Sequence, residues 1–510
     1  METKFSQHLQ ASSRWSNRIL MLSVIGIVCL TIFPFRFDFG APQSGNPFFL
    51  GPSLKHSGYR GFLLNVFLFV PFGFGLSALL RKRGVGTGRA LVLVLASGAI
   101  TSYTVEFLQL YIPSRDSGWE DIFSNTTGAV VGFLLLDRWG ELLLKPISIW
   151  EEKIEAWLSL RRACIFLLVY LGVCFALSVP LQRETRLSNW DTTPLMFVGS
   201  DGTGRHAWKG QIAKLQLWNR SLPDESARKL TAGESVPGMG NGLLASYEFT
   251  GATPYGDHQK SLPALALISS SPPQGPNVLD LDGSSWLSTK VPVTDLTQEL
   301  KRTNQFAVRI VCTPANVADL EQFLISISQM YQASNLFLRR DQADLVFWFR
   351  SPLSANRSSL GWRVRDVFSP GEPRDILVSY DGSNVSLYVN GKKEPRVFSL
   401  SPGAALVHKL SRANAFELEG YLILYDLSIF LPAGMLLGMI ARQKSSQKKM
   451  GRFLLVLGLL LPAVLYEFIL TWTSGRAIYL WEIILCISLI FLGSWLINAD
   501  RSDGVLLRVP

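Results

Sequence analysis

Histidine and cysteine are scarce in this 510-residue chain, five of each, and neither clusters. His8, His56, His206, His258 and His408 stand singly; Cys29, Cys164, Cys174 and Cys486 lie in apolar runs, and Cys312 is alone in the central polar region. Without a CxxC pair the chain offers neither a disulfide framework nor a zinc site. Charge is also low. Only 17% of residues are Asp, Glu, Lys or Arg against 48% hydrophobic, which excludes an ordinary soluble protein. The net charge of +10 falls mostly in short segments between apolar runs, as membrane orientation demands, and nucleic-acid binding is set aside on that ground. The first apolar run ends in "FPFRFDFGAP" without a small-x-small cleavage site, so it is expected to remain as an uncleaved span.

Apolar runs of the roughly 20 residues needed to cross a bilayer occur near 17–36, 60–80, 90–111, 122–137, 163–181, 421–440, 453–473 and 479–497. Eight crossings put the basic segments "RKRGVGTGR" and "ARQKSSQKKMGR", the N-terminus, residues 138–162 and the tail on one side. Both termini are then cytoplasmic, and the region from Leu181 to about Glu419 lies outside. In 138–162, Ile147, Trp150, Ile154 and Trp157 recur at helical spacing after Pro146, which reads as a cytoplasmic amphipathic connector. The expected division is 1–137 membrane, 138–162 connector, 163–181 fifth span, 182–419 outer domain, 420–497 membrane and 498–510 tail.

Between Thr192 and Arg412 the pattern changes to short alternating runs punctuated by turn residues, including Asp381-Gly382 and Asn390-Gly391. Such spacing predicts an all-β sandwich of two sheets. The runs "SYDGSNVSLYVNGK", "LDLDGSSWLST" and "WKGQIAKLQLWNRSLPDES" resemble the concanavalin A-like, laminin G-type jelly roll. The Trp-x-Gly-x-Ile strand that normally closes such a domain here precedes the opening-type strand "GLLASYEFTG", so the domain reads as permuted or as carrying a truncated first copy. The resemblance implies glycan or calcium binding, with Asp282, Asp381 and Asn390 as candidate contacts; beside turn glycines, each is read in preference as a turn former. Trp208, Trp286, Trp348 and Trp362 are either sugar platforms or core aromatics. No carboxylate pair stands at a recognisable catalytic spacing, which favours a binding module over a glycosidase.

The second span reads "LLNVFLFVPFGFGLSALL", the third ends "EFLQ", the turn carries "PSRDSGWED" and the fourth opens "IFSNTTGAVVG". An Asn before Pro-x-Gly, then Glu-x-x-Gln, Arg, Asp and Asn-x-x-Gly, resembles the VanZ-like membrane family over about residues 19–137. Helical spacing places Glu106 and Gln109 on one face, and Asp121, Asn125, Gly128 and Gly132 on another. Asn65, Glu106, Gln109, Asp121 and Asn125 are therefore expected to share a polar pocket below the outer surface, with Arg115 above it. An ionisable residue at such depth marks a functional site by default. A structural Glu–Arg clamp is the competing reading.

A fainter second copy follows. Asp426, Glu467, Arg476 and Glu482 align without gaps to Asn65, Glu106, Arg115 and Asp121, which predicts two parallel four-helix repeats with the sandwich inserted in the second. The resulting expectation is a bacterial envelope protein that binds a glycan and a polar or lipid-linked headgroup, without a metal or cofactor. The alternatives are an enzyme using Glu106 as acid or base, and a transporter built from the two repeats.

Overall fold

The computed structural model describes residues 2–32, 37, 58–112, 117–249, 255–259, 261–269, 279–315, 321–329, 333–354, 361–395, 398–411, 421–443 and 448–498. They form two compact units, one of residues 1–171, 426–460 and 486–510 and the other of residues 172–425 and 461–485. Arg115 and the 419/420 boundary lie outside the described residues.

The long helices are α1 (Glu2–Thr31), α2 (Gly58–Lys82), α3 (Thr87–Gln109), α4 (Trp119–Trp157), α5 (Leu160–Arg183), α6 (Tyr421–Gln443), α7 (Lys448–Ser474) and α8 (Leu480–Asn498). Among the described residues, six segments are long and apolar enough to cross a bilayer, in α2, α3, α5, α6, α7 and α8, and α1 adds the shorter apolar stretch Asn17–Thr31. The chain is thus an integral membrane protein by its apolar helices. The fourth expected span and the connector are not separate elements: α4 runs unbroken for 39 residues through Pro146. A proline deletes one backbone bond without ending a helix whose flanking turns are satisfied, and Pro71, Pro180, Pro432 and Pro462 likewise lie inside their helices.

Glycines bring α2 and α4 into backbone contact. A Cβ on Gly73 would overlap the Ala129 carbonyl, and one on Gly132 would overlap the Val70 carbonyl. The helices α6 and α8 meet in the same way, Gly434 against the Ile490 carbonyl and Gly493 against that of Leu431. Lipid provides no hydrophobic drive between helices, so such close approach supplies the packing energy. Phe69, Phe72, Val94, Val105, Ala129 and Phe133 fill the space between the first four helices.

In the second unit, fifteen described strands form two antiparallel sheets. One runs Trp362–Val364, Asp344–Phe349, Ala333–Asp341, Glu321–Gln329, Leu195–Val198, Ser285–Thr289 and Leu265–Ser269. The other runs Lys392–Lys393, Asn384–Val389, Arg374–Tyr380, Phe306–Pro314, Lys209–Trp218 and Leu243–Glu248, with Phe398–Ser399 and Leu279–Asp282 paired beside it. Strand Lys209–Trp218 lies between Phe306–Pro314 and Leu243–Glu248, with Leu215 opposite both Ile310 and Tyr247, so the early strands belong to the same sheet as the late ones. The inward residues of both sheets, among them Leu215, Ile310, Leu338 and Val378, close one continuous core with Trp208. Asn390 and Gly391 both have positive φ, 47° and 79°, as the two-residue hairpin turn from Val389 to Lys392 requires.

Candidate functional site

Three helices and one turn build the first polar site. Glu106, in the last turn of α3, is 2% exposed, and the Gly118 N–H donates to its Oε2 at 2.8 Å. This bond ties the end of α3 to the residues leading into α4. From α2, Asn65 Nδ2 donates to Asp121 Oδ1 at 2.7 Å, joining α2 to the first turn of α4. One turn further along α4, Asn125 Nδ2 donates to Ser102 Oγ on α3 at 2.9 Å. Asn125 is 2% exposed, and among the described residues its Oδ1 accepts no hydrogen bond.

Residues 4–140 match the VanZ/LLP1 family. No curated protein and no solved structure matches the chain. The matched VanZ/LLP1 region contains the whole polar site and stops before the sandwich.

Within this VanZ/LLP1 region, Asn65, Glu106, Asp121 and Asn125 join adjacent helices, whereas Gln109 turns toward α1. Its Nε2 donates to the Thr31 carbonyl at 2.9 Å, which satisfies one of the open carbonyls at the C-terminus of α1. Ser102 was not among the expected site residues. Its position four residues before Glu106, on the same helical face, was the available signal.

The second cluster is more strongly ionic. Arg476, between α7 and α8, donates from Nη2 to Glu467 Oε2 at 2.5 Å and to Glu482 Oε2 at 2.6 Å, and from Nη1 to Glu482 Oε1 at 3.0 Å. All three side chains are at most 4% exposed. The Tyr479 N–H donates to Glu467 Oε1 at 2.8 Å, twelve residues along the chain, the same span as the Glu106–Gly118 bond. Asp426 is buried on α6.

In the sandwich, the candidate ligands are engaged as turn formers. Asp282 Oδ1 accepts the Ser284 N–H at 2.8 Å, Asp381 Oδ1 accepts those of Ser383 and Asn384 at 2.9 and 2.7 Å, and Asn390 Oδ1 accepts that of Asp375 at 2.8 Å. One oxygen of each side chain is thereby occupied by backbone amides. Trp208, Trp348 and Trp362 are buried, and Trp208 and Trp362 belong to the sandwich core. Among the described residues, no group of three or more His, Cys, Asp or Glu is placed to hold a metal ion. Sequence reasoning missed a cleft of about 350 Å³ on the eight-stranded sheet, floored by Lys214, Gln216, Trp218 and Arg309 and walled by Glu234 and Met239. Arg309 is fixed there by Asp375 at 2.5 Å and by Gln216 Oε1 at 3.1 Å.

Proposed function

We propose that the chain is an integral protein of a bacterial cell envelope, that its first polar site receives the polar headgroup of a lipid-linked molecule at the outer leaflet, and that its sandwich, outside the membrane, binds a glycan. The observation that carries the headgroup reading is the unanswered Oδ1 of Asn125 beside Ser102, in a site that also gathers Glu106, Asn65 and Asp121 among apolar helices. A buried acceptor without a donor is costly and rare. A ligand hydroxyl or amide would answer it. Arg115 enters this proposal from the sequence alone. For the sandwich, the support is the cleft at Lys214, Gln216 and Arg309, whose apolar wall at Met239 and fixed polar floor suit the two faces of a sugar ring.

The same proposal takes the membrane part as eight spans in two parallel four-helix repeats, with both termini cytoplasmic. Its support is a set of contacts that recur at a constant offset of 467 − 106 = 361 residues. Gly73 against Ala129 corresponds to Gly434 against Ile490, Gly132 against Val70 to Gly493 against Leu431, and the Glu106 bond to Gly118 to the Glu467 bond to Tyr479.

The test is mass spectrometry of what co-purifies with the full chain in mild detergent, for the native protein and for Glu106→Gln and Asn125→Leu. A lipid-linked saccharide held by the native protein and depleted in both variants supports the proposal, and equal amounts in all three remove it. Conversion of that molecule on incubation would select the reading of Glu106 as acid or base.

A further inference from the structure

We propose that the turn between α7 and α8, which carries the second acid–arginine cluster, is a socket that holds the sandwich, filled from within the chain by the Asp381 hairpin turn, and is not a second ligand site. The comparison with the first site rests on the two-repeat reading above; the socket does not.

Five polar contacts seat the sandwich on this turn. Tyr479 Oη donates to Asp381 Oδ2 and accepts from Asn384 Nδ2 at 2.8 Å. Asn304 Nδ2 donates to the Ser474 carbonyl, Gln305 Nε2 to that of Gly475 at 2.8 Å, and Arg186 Nη1 to that of Thr473 at 3.2 Å. The last three carbonyls of α7 and its turn, which the helix itself leaves open, are thus capped by side chains of the sandwich unit. Asn304 is fully buried at φ 55°, ends the helix Thr294–Thr303 and accepts the Leu187 N–H at 2.8 Å, so it cannot swing away. The fit is also close in shape: a Cβ on Gly382 would stand 3.0 Å from the Ser474 carbonyl oxygen.

The ionic cluster is what aims Tyr479. Glu467 holds its N–H, and the Arg476 guanidinium lies 4.6 Å from the centre of its ring, itself fixed by Glu467 and Glu482. Backbone and ring are therefore both anchored, and the hydroxyl is presented to Asp381. In the first copy the corresponding residue is Gly118, which has no ring to present. The acids and arginine kept in the second copy are thus kept as positioning residues for Tyr479, while the amide lost where Cys486 replaces Asn125 belonged to ligand recognition.

The test is hydrogen exchange on the full chain in nanodiscs, comparing the native protein with Tyr479→Phe, Asp381→Asn and the double variant. Each single change should speed exchange about tenfold in both 378–390 and 470–485, with the double no faster than either single and strand 306–314 unchanged. Acceleration confined to the mutated segment, or additive effects in the double, would overturn the socket. Should Tyr479→Phe also loosen 306–314, Gln305→Ala serves instead, with faster exchange expected at 470–485; no change there would count against the proposal. Native mass spectrometry of the same Tyr479→Phe sample should show unchanged lipid retention, whereas loss of a bound lipid would make the second cluster a ligand site. If the native protein holds no lipid at all, the headgroup reading falls, and the exchange results still decide the socket.

Discussion

Replacing Arg476 with Met would leave Glu467 and Glu482 facing each other without the cation that bridges them. Both carboxylates and the guanidinium are at most 4% exposed, so neither acid can turn to water. Removing one partner of such a buried pair costs about 3–5 kcal/mol, mostly as the penalty for the charges left behind. At the roughly 2–4 °C per kcal/mol expected for a unit of a few hundred residues, the melting midpoint should fall on the order of 10 °C. The assay is near-ultraviolet circular dichroism of the purified chain in detergent during heating. The triple variant Arg476→Met, Glu467→Leu, Glu482→Leu removes all the charges and should recover most of the loss, because apolar replacements of a buried ion cluster are near neutral. An unchanged midpoint in Arg476→Met, or a triple variant no better than the single, would refute the reasoning.

Gly132→Leu should abolish monodisperse protein in size-exclusion chromatography, because its side chain would enter the α2 backbone; Gly172→Leu, with nothing within 4 Å of its Cβ, should leave the profile unchanged. The Arg302 guanidinium pulls the Glu299 carboxyl down to about 2. A lowered carboxylate contributes stability that is present above its unfolded value near 4.5 and is lost as pH falls toward 2. Solvent screening limits the effect to about 1 kcal/mol, and Glu299→Gln should flatten that part of the pH–melting curve. Met239→Trp should fill the sandwich cleft and remove glycan binding measured on an immobilised array while leaving melting unchanged; binding that survives would move the glycan site elsewhere.

The features written in local pattern were the ones legible in advance. Asn390-Gly391 fixes its hairpin because that turn needs two residues at positive φ, and the small residues along α2 and α4 announce close packing. Asp121 and Asn125 were put on one face by helical spacing, Asn65 was named from the VanZ-like pattern, and all three bridge neighbouring helices. Gln109 and Thr31 are 78 residues apart, and no motif links them, so the diversion of that amide toward α1 could not be read. The same holds for Asp381 and Tyr479, 98 residues apart: a turn dipeptide shows that a hairpin forms but not what its outer oxygen will meet. The charged residues after Asp137 suggested an end to the fourth span, whereas the backbone stays helical because charge on an amphipathic face does not break a helix. The cleft escaped notice because strand and helix residues far apart in sequence converge to form it.

The headgroup reading is tested most directly by native mass spectrometry of the full chain released from nanodiscs made with its own membrane lipids. One lipid-linked molecule per chain should be retained in the native protein and in Tyr479→Phe, and lost in Asn125→Leu. Retention undiminished by Asn125→Leu, or two such molecules per chain, would contradict it.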